Sequence, residues 1–569
     1  MVTGLTRQAE PEEGAGEDTK APSARGPAPK SWRHLPRGQR WPTLALYVLA
    51  VVPVLYVLHR VHKAPALPYT DYWQAFARIF TPSGGLHVGG IFSYQNEHPF
   101  VVPSLLYYID AKFFDGTNQF TGYVSVVLAL VTVLLARRML PESMSAPMRA
   151  FMTMVISVVL FSPSGLWNFV RGMSGSAWLS ANVFALAAIL LAWRGRSVSA
   201  TLVAALAILS YGTGFGAPIA IGLIALVRRD RWWRWALPAA LLLGAAIVYA
   251  ATATGGTTGA NSRDPALIGS TFLSNLGMLW DPSAGPTAII AGAAGLLLIG
   301  WSFWTVRADV RYADLLPWWG VAIYSICAAG LISVARGSVF GGDGVQGRYA
   351  SLSGLFWIAV TVIAVRVVMA RQESSLRIGA MLSMIAVFVA VSPTLAGQAI
   401  SLEPTQRLTA AALRFNATGP VRNNVIPIDQ VVPRLKALGD YPFTSSYSVG
   451  CGRKPGDTVT ATSIRPLPAS YADGTNGAVE AFGTPSDGAL RFTGWIRRGG
   501  SGGEPSCVLV LDRDGKIVGG GVTRIPRADL TKFSVPSSPV GYDAVAPAAL
   551  SDVRVVLGFA DGFWQLPPS

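Results

Sequence analysis

Charged residues are scarce in this sequence. Asp, Glu, Lys and Arg make up 14% of its 569 residues, whereas hydrophobic residues make up 51%. This balance excludes an ordinary soluble enzyme. A basic stripe of the kind that binds nucleic acid is also lacking, because the Lys and Arg behind the net charge of +15 are scattered in short loops between apolar runs. We therefore expect no nucleic-acid partner and interpret the charge pattern as membrane topology.

In place of charge, the sequence has repeated apolar runs close to the roughly 20 residues that cross a hydrocarbon core. These runs predict a polytopic α-helical protein that spans the lipid bilayer, with a transmembrane domain over 42–399. We predict eleven spans, at 42–58, 121–136, 148–162, 176–193, 198–210, 214–227, 235–252, 286–305, 315–335, 350–370 and 378–399. The fifth and sixth are short and joined by SYGTGFGAP, so a re-entrant or buried hairpin is the alternative there.

The charge distribution predicts the orientation of these spans. Residues 1–41 are rich in Pro, Gly and charge, and we expect a disordered cytoplasmic N-terminus. The first apolar run reaches full span length without a small-residue cleavage site, which favours an uncleaved span over a signal peptide. Arginines recur in alternate loops, which the positive-inside rule places in the cytoplasm, so an odd span count puts the C-terminus outside. One basic cluster, HRVHK at 59–63, falls outside, where it snorkels at a span end or binds phosphate.

The composition changes after Ala399. We expect a linker over 400–426 and an extracytoplasmic β-sandwich over 427–569, because short alternating segments there are separated by Gly, Pro and Asp. LDRDGKIV is typical of a hairpin, with Asp-Gly in the turn. Cys451 and Cys507 both lie in this domain, and an oxidising side of the membrane would allow them to form a disulfide.

Polar residues gather in the first predicted outer loop, in the stretches PYTDYW and YQNEHPFVVPSLLYYID. Asp71, Glu97 and His98 lie close to hydrocarbon there, where a carboxylate is costly to desolvate unless it is paired or used. These residues are therefore functional candidates, and an ordinary solvated loop is the alternative. The neighbouring PSLLYYIDAKFF suits an interfacial helix.

The order TDYWQAFARIF, YQNEHPFVVPSLLYYIDAKFFDGTNQF and then a span ending in ARR resembles the first loop of the GT-C membrane glycosyltransferases, especially the protein mannosyltransferase and aminoarabinose transferase branch. The span count and trailing β-domain are similar to the actinobacterial arabinosyl- and mannosyltransferases. This resemblance implies a GT-C-like fold in a bacterial plasma membrane, a polyprenyl-phosphate sugar donor and a cell-envelope glycan or other hydroxyl as acceptor. It also implies that Asp71 is the catalytic base. The sequence departs from the family where Tyr72 follows Asp71 in place of a second acid, and where Glu97-His98-Pro99 replaces Lys-Pro-Pro.

Such a transfer also needs charge stabilisation at the departing phosphate. Arg336 and Arg348 flank a Gly-rich outer segment, and guanidinium groups grip phosphate oxygens well, so we expect the donor phosphate there, together with His98. The alternative is that Arg348 and Tyr349 anchor a span at the headgroups. Glu97 is expected to assist the base or to orient the sugar.

Other residues are candidates for substrate binding, with alternatives left open. The predicted set comprises Tyr72, Tyr94, Asn96, Trp167, Asn168, Arg171 and Tyr349. The segment 162–178 either lines an acceptor pocket or forms an interfacial aromatic belt. In the β-domain, glycan contact or core packing is open for Trp495, Arg524, Arg527 and Trp564. No cofactor is firmly implied, and dependence on a divalent metal such as Mg or Mn is open.

A transporter or flippase of lipid-linked saccharides is the alternative function. It should carry ionisable groups within its spans as a coupling site. Such groups are scarce in the predicted spans, and polar residues gather at the outer rim, which favours an enzyme. An enzyme of this kind should bring Asp71, Glu97 and Arg348 to one cavity that opens laterally to lipid.

Overall fold

The computed structural model describes residues 36–69, 71–96, 98–252, 264–306, 310–336, 347–370, 403–419, 426–467, 476–486, 488–498, 503–533 and 539–567. A helical region comes first and a β-sheet region follows. Two sequence predictions fall on residues outside these ranges, the eleventh span at 378–399 and the role of Glu97, and so does most of the predicted disorder of 1–41. Within that segment residues 37–41 are helical, so the predicted bound of 41 is wrong.

The helices of the first region follow one another along the chain. In order they are α1 (Arg37–Lys63), α2 (Asp71–Ile79), α3 (Val88–Ile91), α4 (Val101–Phe113), α5 (Asn118–Met139), α6 (Ala146–Leu160), α7 (Trp167–Val170), α8 (Gly172–Trp193), α9 (Ser197–Ser210), α10 (Gly216–Val227), α11 (Trp232–Thr252), α12 (Pro265–Gly277), α13 (Pro286–Val306), α14 (Leu316–Arg336) and α15 (Ala350–Ala370). Short 3-10 helices at Gly212–Phe215 and Gly347–Tyr349 precede α10 and α15.

The chain is a multi-pass membrane protein, as predicted. Within the described ranges, seven helices are long and apolar enough to cross a membrane, and α6 forms an eighth span if the segment after its 41° bend is counted with it. The apolar helices α9 and α10 are shorter. Each of the first ten predicted spans coincides with one of these elements, and the total of eleven stays a prediction.

The spans differ in how deeply they are enclosed. In α8 and α15, 83% of the apolar window is buried inside the protein, whereas in α11 the share is 6%. Small residues allow close contact between helices in a membrane, where apolar side chains gain nothing by leaving lipid for protein. α8 carries the run GMSGSAWLSAN on its first turns. The enclosed helices form the centre of the helical region and α11 lies at its margin.

The loops with recurrent arginines meet at one end of the helical region. The Arg228 guanidinium donates to the Ala192 carbonyl at 3.2 Å. Ser143 donates to Asp314 at 3.3 Å, and Arg366 pairs with the same carboxylate at 3.2 Å. This clustering is what alternate loops of a multi-pass protein require. The opposite end carries α2, α3 and α4, and the side of the membrane on which each end lies stays a prediction.

Asn118 fixes the junction between the first loop and the spans. Its side-chain amide donates to the carbonyls of Pro65 and Val170 at 3.1 and 2.8 Å, and its side-chain oxygen accepts from the Gly172 amide at 3.1 Å. One buried side chain thus ties the end of α1, the start of α5 and the start of α8. The first loop is held in place from three directions as a result.

The helix α12 was not predicted. Asp264 caps it, with its carboxylate accepting from the Ala266 amide at 2.9 Å, and Pro265 opens its first turn. An Asp followed by Pro is a known helix-start signal.

The second region contains two helices and a β-sheet. These elements are α16 (Glu403–Arg414), α17 (Ile428–Leu438), β1 (Ile464–Pro466), β2 (Asn476–Ser486), β3 (Ala489–Arg497), β4 (Cys507–Leu511), β5 (Ile517–Ile525), β6 (Gly541–Pro547), β7 (Arg554–Phe559) and β8 (Gly562–Gln565). The strands form one sheet in the order β1-β8-β7-β4-β5-β6-β3-β2, antiparallel except between β1 and β8. The predicted β-rich domain is confirmed, but its strands form one sheet where a β-sandwich was predicted. The predicted hairpin is also confirmed, because its strands β4 and β5 pair antiparallel.

Two contacts join parts of this region that are distant in sequence. Cys451 and Cys507 form the predicted disulfide, with their Cα atoms 5.7 Å apart. Within the predicted linker, α16 packs Leu408 and Ala412 against Val522 of β5. The helix α17 instead contacts the first loop, as described below.

Candidate functional site

Asp71 opens the helix α2 of the first loop. A carboxylate in the first turn is stabilised by the positive end of the helix dipole. The apolar face of α2 is fixed by burial of Trp73 and Phe76, and the Trp73 indole donates to the Pro68 carbonyl at 3.1 Å. Asp71 is only partly buried. The helix is therefore held rigidly, while its first side chain remains accessible.

A polar strip continues from Asp71 along α2. Gln74 and Arg78 follow at the spacing that keeps side chains on one helix face. Gln95 links them, because its amide donates to Gln74 at 2.8 Å and its oxygen accepts from the Arg78 guanidinium. Burial lowers the pKa of Arg78, and the charge of Asp71 opposes that shift. Sequence analysis missed these three residues, although the spacing of Gln74 and Arg78 from Asp71 was a usable signal.

Two guanidinium groups lie within electrostatic reach of Asp71. Both Arg171 and Arg348 interact with its charge. Burial lowers the pKa of Arg171 to about 10, and Asp71 again opposes the shift. The Arg171 guanidinium stacks 3.5 Å from the Trp167 ring and 4.7 Å from the Tyr69 ring. The structure thus brings together the predicted base and a predicted phosphate ligand, on side chains that are each partly accessible.

Segments far apart in sequence build this site. The Asn168 amide donates to the Arg348 carbonyl at 3.0 Å, which joins the loop before α8 to the 3-10 helix before α15. The Tyr107 hydroxyl donates to the Met173 carbonyl at 2.8 Å and so ties α4 to the start of α8. Trp167 and Asn168 therefore have specific partners at the site.

His98 lies at the centre of an aromatic cluster. Its ring is 4.1 Å from the Tyr211 ring, and Trp178 contacts Tyr211 and Tyr349 at centroid distances of 4.4 and 4.9 Å. Desolvation lowers the pKa of His98 to about 3, and the charges of Arg336 and Arg348 act in the same direction. The imidazole is therefore neutral at pH 7, and it offers one hydrogen-bond donor and one acceptor.

The backbone at Gly212 makes room for this imidazole. A Cβ atom at residue 212 would lie 2.6 Å from the His98 Nδ1 atom, which is closer than real Cβ contacts. Gly212 lies in the short turn between α9 and α10, the hairpin that sequence analysis described as re-entrant or buried. The turn reaches His98, and sequence analysis did not assign it a role in the site.

A largely apolar cavity of about 250 Å³ adjoins the cluster. Its lining comprises His98, Trp178, Tyr211, Gly212, Thr213, Phe215, Ala246, Tyr249, Leu331, Ile332, Ala335, Arg336 and Tyr349. Two predicted donor-site residues, His98 and Arg336, thus meet in one cavity with the predicted substrate-binding residue Tyr349. The predicted convergence on one cavity is not met by Asp71 and Arg348, which are not among its lining residues. At its other end the wall includes Leu331 of α14, which is 45% exposed, and the exposed Ala246 of α11. These residues belong to spanning helices, so the cavity reaches the surface that faces lipid.

The remaining predicted residues lie apart from this cavity or at its edge. Tyr72 is buried beneath α2, and its hydroxyl donates to Asp110 at 3.1 Å. Tyr94 hydrogen-bonds Thr252 at the end of α11, 2.8 Å away, and its ring contacts Tyr249. Asn96 is exposed in a turn with a positive φ of 51°. The structure does not bring the Tyr72 side chain towards Asp71.

Buried carboxyl groups lie within the first loop and next to it. Asp110 accepts hydrogen bonds from Tyr72 and from the Thr117 amide, the latter at 3.0 Å, and burial holds its pKa well above the usual range. Asp440 lies next to it, and burial together with the charge of Asp115 raises its pKa to about 7. Asp440 follows α17, and the adjoining Tyr441 amide donates to the Asp115 carbonyl at 2.9 Å. The β-sheet region is thereby attached to the first loop.

The described residues offer no group of three His, Cys, Asp or Glu side chains that could hold a metal ion. Asp71, Arg171, Arg348 and His98 can supply a base, two fixed positive charges and a neutral imidazole without a metal ligand set.

No protein-family model matches the sequence. No curated protein matches it either. Among solved structures, the crystal structure of ArnT from Cupriavidus metallidurans bound to undecaprenyl phosphate is similar over 69% of this chain and 74% of that chain, with 15% sequence identity and a TM-score of 0.33. A likeness at this level carries no argument about this chain's chemistry.

Proposed function

We propose that this protein is a membrane glycosyltransferase. It transfers a sugar from a polyprenyl-phosphate donor to a hydroxyl of a cell-envelope glycan or another acceptor, on the outer face of the bacterial plasma membrane. One observation carries the proposal: the charge of Asp71 acts on Arg348 and Arg171, and Tyr349, which follows Arg348, lines an apolar cavity that reaches the lipid-facing surface. A base, paired cations and a lipid groove are the three parts that this transfer requires.

The phosphate and the prenyl chain of the donor are proposed to bind in different parts of the site. The phosphate binds between Arg336 and Arg348, because guanidinium groups donate parallel hydrogen bonds to phosphate oxygens. The first isoprene units of the donor occupy the aromatic cavity, and the rest of the prenyl chain extends past Leu331 into the bilayer. His98 is neutral and so adds a hydrogen bond to the phosphate without competing for the positive charges.

Transfer then follows from the position of Asp71. The acceptor oxygen forms a bond to the anomeric carbon of the sugar, while the bond from that carbon to the phosphate oxygen breaks. The acceptor proton passes to the Asp71 carboxylate. The departing electron pair stays on the polyprenyl phosphate, whose charge Arg348 stabilises. Glu97, placed next to His98 by the sequence, is proposed to orient the sugar.

The acceptor is proposed to lie along the polar strip of α2. Gln74, Arg78 and Gln95 present fixed amide and guanidinium groups beside Asp71, and such groups bind sugar hydroxyls. Trp167, held flat by Arg171, offers a ring face on which a sugar can stack.

The transporter alternative requires ionisable groups within the spans. In the described spans Arg366 is such a group, and it pairs with Asp314, which precedes α14 at the end opposite to Arg336. A pair located there is remote from the cavity. The geometry therefore favours the enzyme.

Asp71→Asn tests the proposal. The full-length protein, purified in lipid nanodiscs, is supplied with a panel of polyprenyl-phosphate sugars and acceptor oligosaccharides, and products are identified by mass spectrometry. Wild type should form a glycosylated acceptor, and Asp71→Asn should lose at least about 100-fold in rate, as expected for loss of a general base. Asp552→Asn, which removes an exposed carboxylate of the β-sheet region, is the control and should keep full activity. Unchanged transfer by Asp71→Asn would refute the base assignment.

A further inference from the structure

One guanidinium of the first loop carries a charge that no acid neutralises. Arg78 lies in the last turn of α2 and is half-buried. Among the residues that the structure describes, no carboxylate forms an ion pair with it. Its Nε atom is buried and makes no hydrogen bond, and a terminal nitrogen donates to the neutral amide of Gln95. Withdrawing a cation from water without an anionic partner is unfavourable. The chain thus lacks the partner that this charge requires.

Capping of the helix does not account for Arg78. Cations near a helix C-terminus commonly bond the last carbonyl groups. In α2 these carbonyls have other partners. The Arg78 carbonyl accepts from the His87 imidazole at 3.0 Å, and the Phe80 carbonyl accepts from the Arg434 guanidinium at 2.7 Å. The Arg78 guanidinium is directed to Gln95 instead.

Arg78 and Asp71 lie on the same face of α2. Residues 71, 74 and 78 are the partly exposed positions of the helix, and its other residues are buried. Side chains of a helix lean towards its N-terminus, which directs Arg78 towards Gln74 and Asp71. Seven residues make two turns and separate the Cα atoms of Asp71 and Arg78 by about 10 Å. The polar strip therefore has a negative end at Asp71 and a positive end at Arg78.

Gln95 holds the positive end of the strip in place. Its side chain bonds Arg78 and Gln74, the latter at 2.8 Å, and the residue is 2% exposed. Its backbone exchanges two hydrogen bonds with His98, at 2.9 and 3.0 Å, so the turn that carries it is tied to the candidate site. A guanidinium that is fixed before a ligand arrives loses little entropy on binding.

We infer that the acceptor is an acidic saccharide, whose carboxylate or phosphate pairs with Arg78 while one of its hydroxyl groups lies at Asp71. This inference rests on the proposed function and names the class of its acceptor. The charges at the two ends of the strip orient the ligand, because an anionic group is repelled by Asp71 and attracted by Arg78. A separation of about 10 Å is bridged by one or two sugar residues, so the anionic group belongs to the accepting sugar or to its neighbour.

Equilibrium binding tests the inference without any transfer reaction. The full-length protein, in nanodiscs of zwitterionic lipid, is titrated by calorimetry with two matched pairs of probes. Hexagalacturonate is compared with its carboxyl-reduced form, and pentamannose 6-phosphate is compared with its dephosphorylated form. At least one charged probe should bind about tenfold or more tightly than its neutral counterpart, as expected for a charge-assisted hydrogen bond. Added salt should reduce this preference.

Arg78→Gln distinguishes binding from folding. The amide can still bond Gln95 and the unpaired charge is removed, so the melting temperature should stay the same or rise. The preference for the charged probe should fall to about twofold or less, while affinity for the neutral probe should change little. Arg78→Lys should retain part of the preference, because an ammonium keeps the charge but lacks the planar fork. Arg513→Gln, at an exposed ion pair of the β-sheet region, is the control and should keep the whole preference.

Two further variants separate this inference from the catalytic proposal. Asp71→Asn should lose transfer yet bind the charged probe at least as tightly as wild type, because it removes a negative charge from the strip. Arg348→Ala should keep the preference, which shows that the probe does not occupy the donor phosphate site.

Three binding results would each overturn the inference: failure of both charged probes to bind, equal binding of charged and neutral probes, or a preference that persists in Arg78→Gln. Loss of the preference in Arg348→Ala would assign it to the donor site and would overturn the inference as well. A large fall in the melting temperature of Arg78→Gln, with equal loss of charged and neutral probes, would show that Arg78 is structural.

Discussion

Substitution of Gly212 by Ala tests whether His98 has to stay where the structure places it. The new Cβ atom would lie 2.6 Å from the His98 Nδ1 atom, so the ring must move by about 0.8 Å to reach an ordinary contact of 3.4 Å. Gly212 is not among the residues with positive φ, so alanine strains no backbone torsion there. The perturbation is therefore steric and directed at one side chain.

The expected effect follows from the size of that displacement. A misplacement of about 1 Å at a reacting centre costs about 100-fold, so we expect kcat/KM for the donor to fall about 10- to 100-fold. The measurement is steady-state transfer in nanodiscs with a labelled polyprenyl-phosphate sugar. Gly222→Ala in the same hairpin is the matched control, because its Cβ would meet Pro238 at an ordinary 3.6 Å.

A double-mutant cycle decides whether the effect passes through His98. If Gly212→Ala acts by displacing the imidazole, adding it to His98→Ala should cause little further loss. Fully additive losses would mean that the turn acts by another route. Wild-type activity in Gly212→Ala, with normal expression, would refute the argument that His98 must occupy this position for transfer.

Two further predictions concern the donor site and the support of the first loop. Arg348→Ala should weaken donor binding about tenfold or more and leave acceptor binding nearly unchanged, as measured with each substrate separately, whereas Arg138→Ala at the other end should change neither. Because the pKa of Asp440 is raised to about 7 in the folded protein, its contribution to stability should be full below about pH 4 and lost as the pH rises to about 7. Thermal unfolding between pH 4 and 8 should therefore show a falling melting temperature that is flatter in Asp440→Asn, and identical slopes would contradict a buried carboxyl group. Asp110, Asp115 and Lys112 also face this position and set the residual slope.

Span positions were predictable because apolar length is a local property of the sequence. The disulfide was predictable because both cysteines fall in one β-rich segment. The electrostatic interaction of Asp71 with Arg348 was expected only because alternate loops meet on one side, and it depends on how the whole chain folds. Local sequence carries no signal for Tyr211 and Trp178, since their contacts with His98 depend on how the spans pack.

The helices α12 and α16 show the limits of span length as a signal. Both are too short to cross a membrane, and α16 is amphipathic because one face covers the sheet. Tyr72 shows that sequence adjacency can also mislead. It was predicted to bind substrate together with its neighbour Asp71. Adjacent side chains of a helix point about 100° apart, however, and the Tyr72 hydroxyl donates to Asp110. Residues that are adjacent in a helix therefore need not take part in the same site, because the helical period sets the direction of each side chain.

The contact between α17 and the first loop sets an order of events during synthesis. Arg434 and Tyr441 donate hydrogen bonds to the backbone of Phe80 and Asp115, respectively. The segment that carries Asp71 is translated early. Its contacts with Arg434 and Tyr441 can form only after more than 300 further residues have been added. A ribosome that stalled before residue 428 would leave spans in the bilayer and a first loop without its contacts to α17 and Tyr441. The candidate site thus reaches its final surroundings only after about three quarters of the chain have been synthesised.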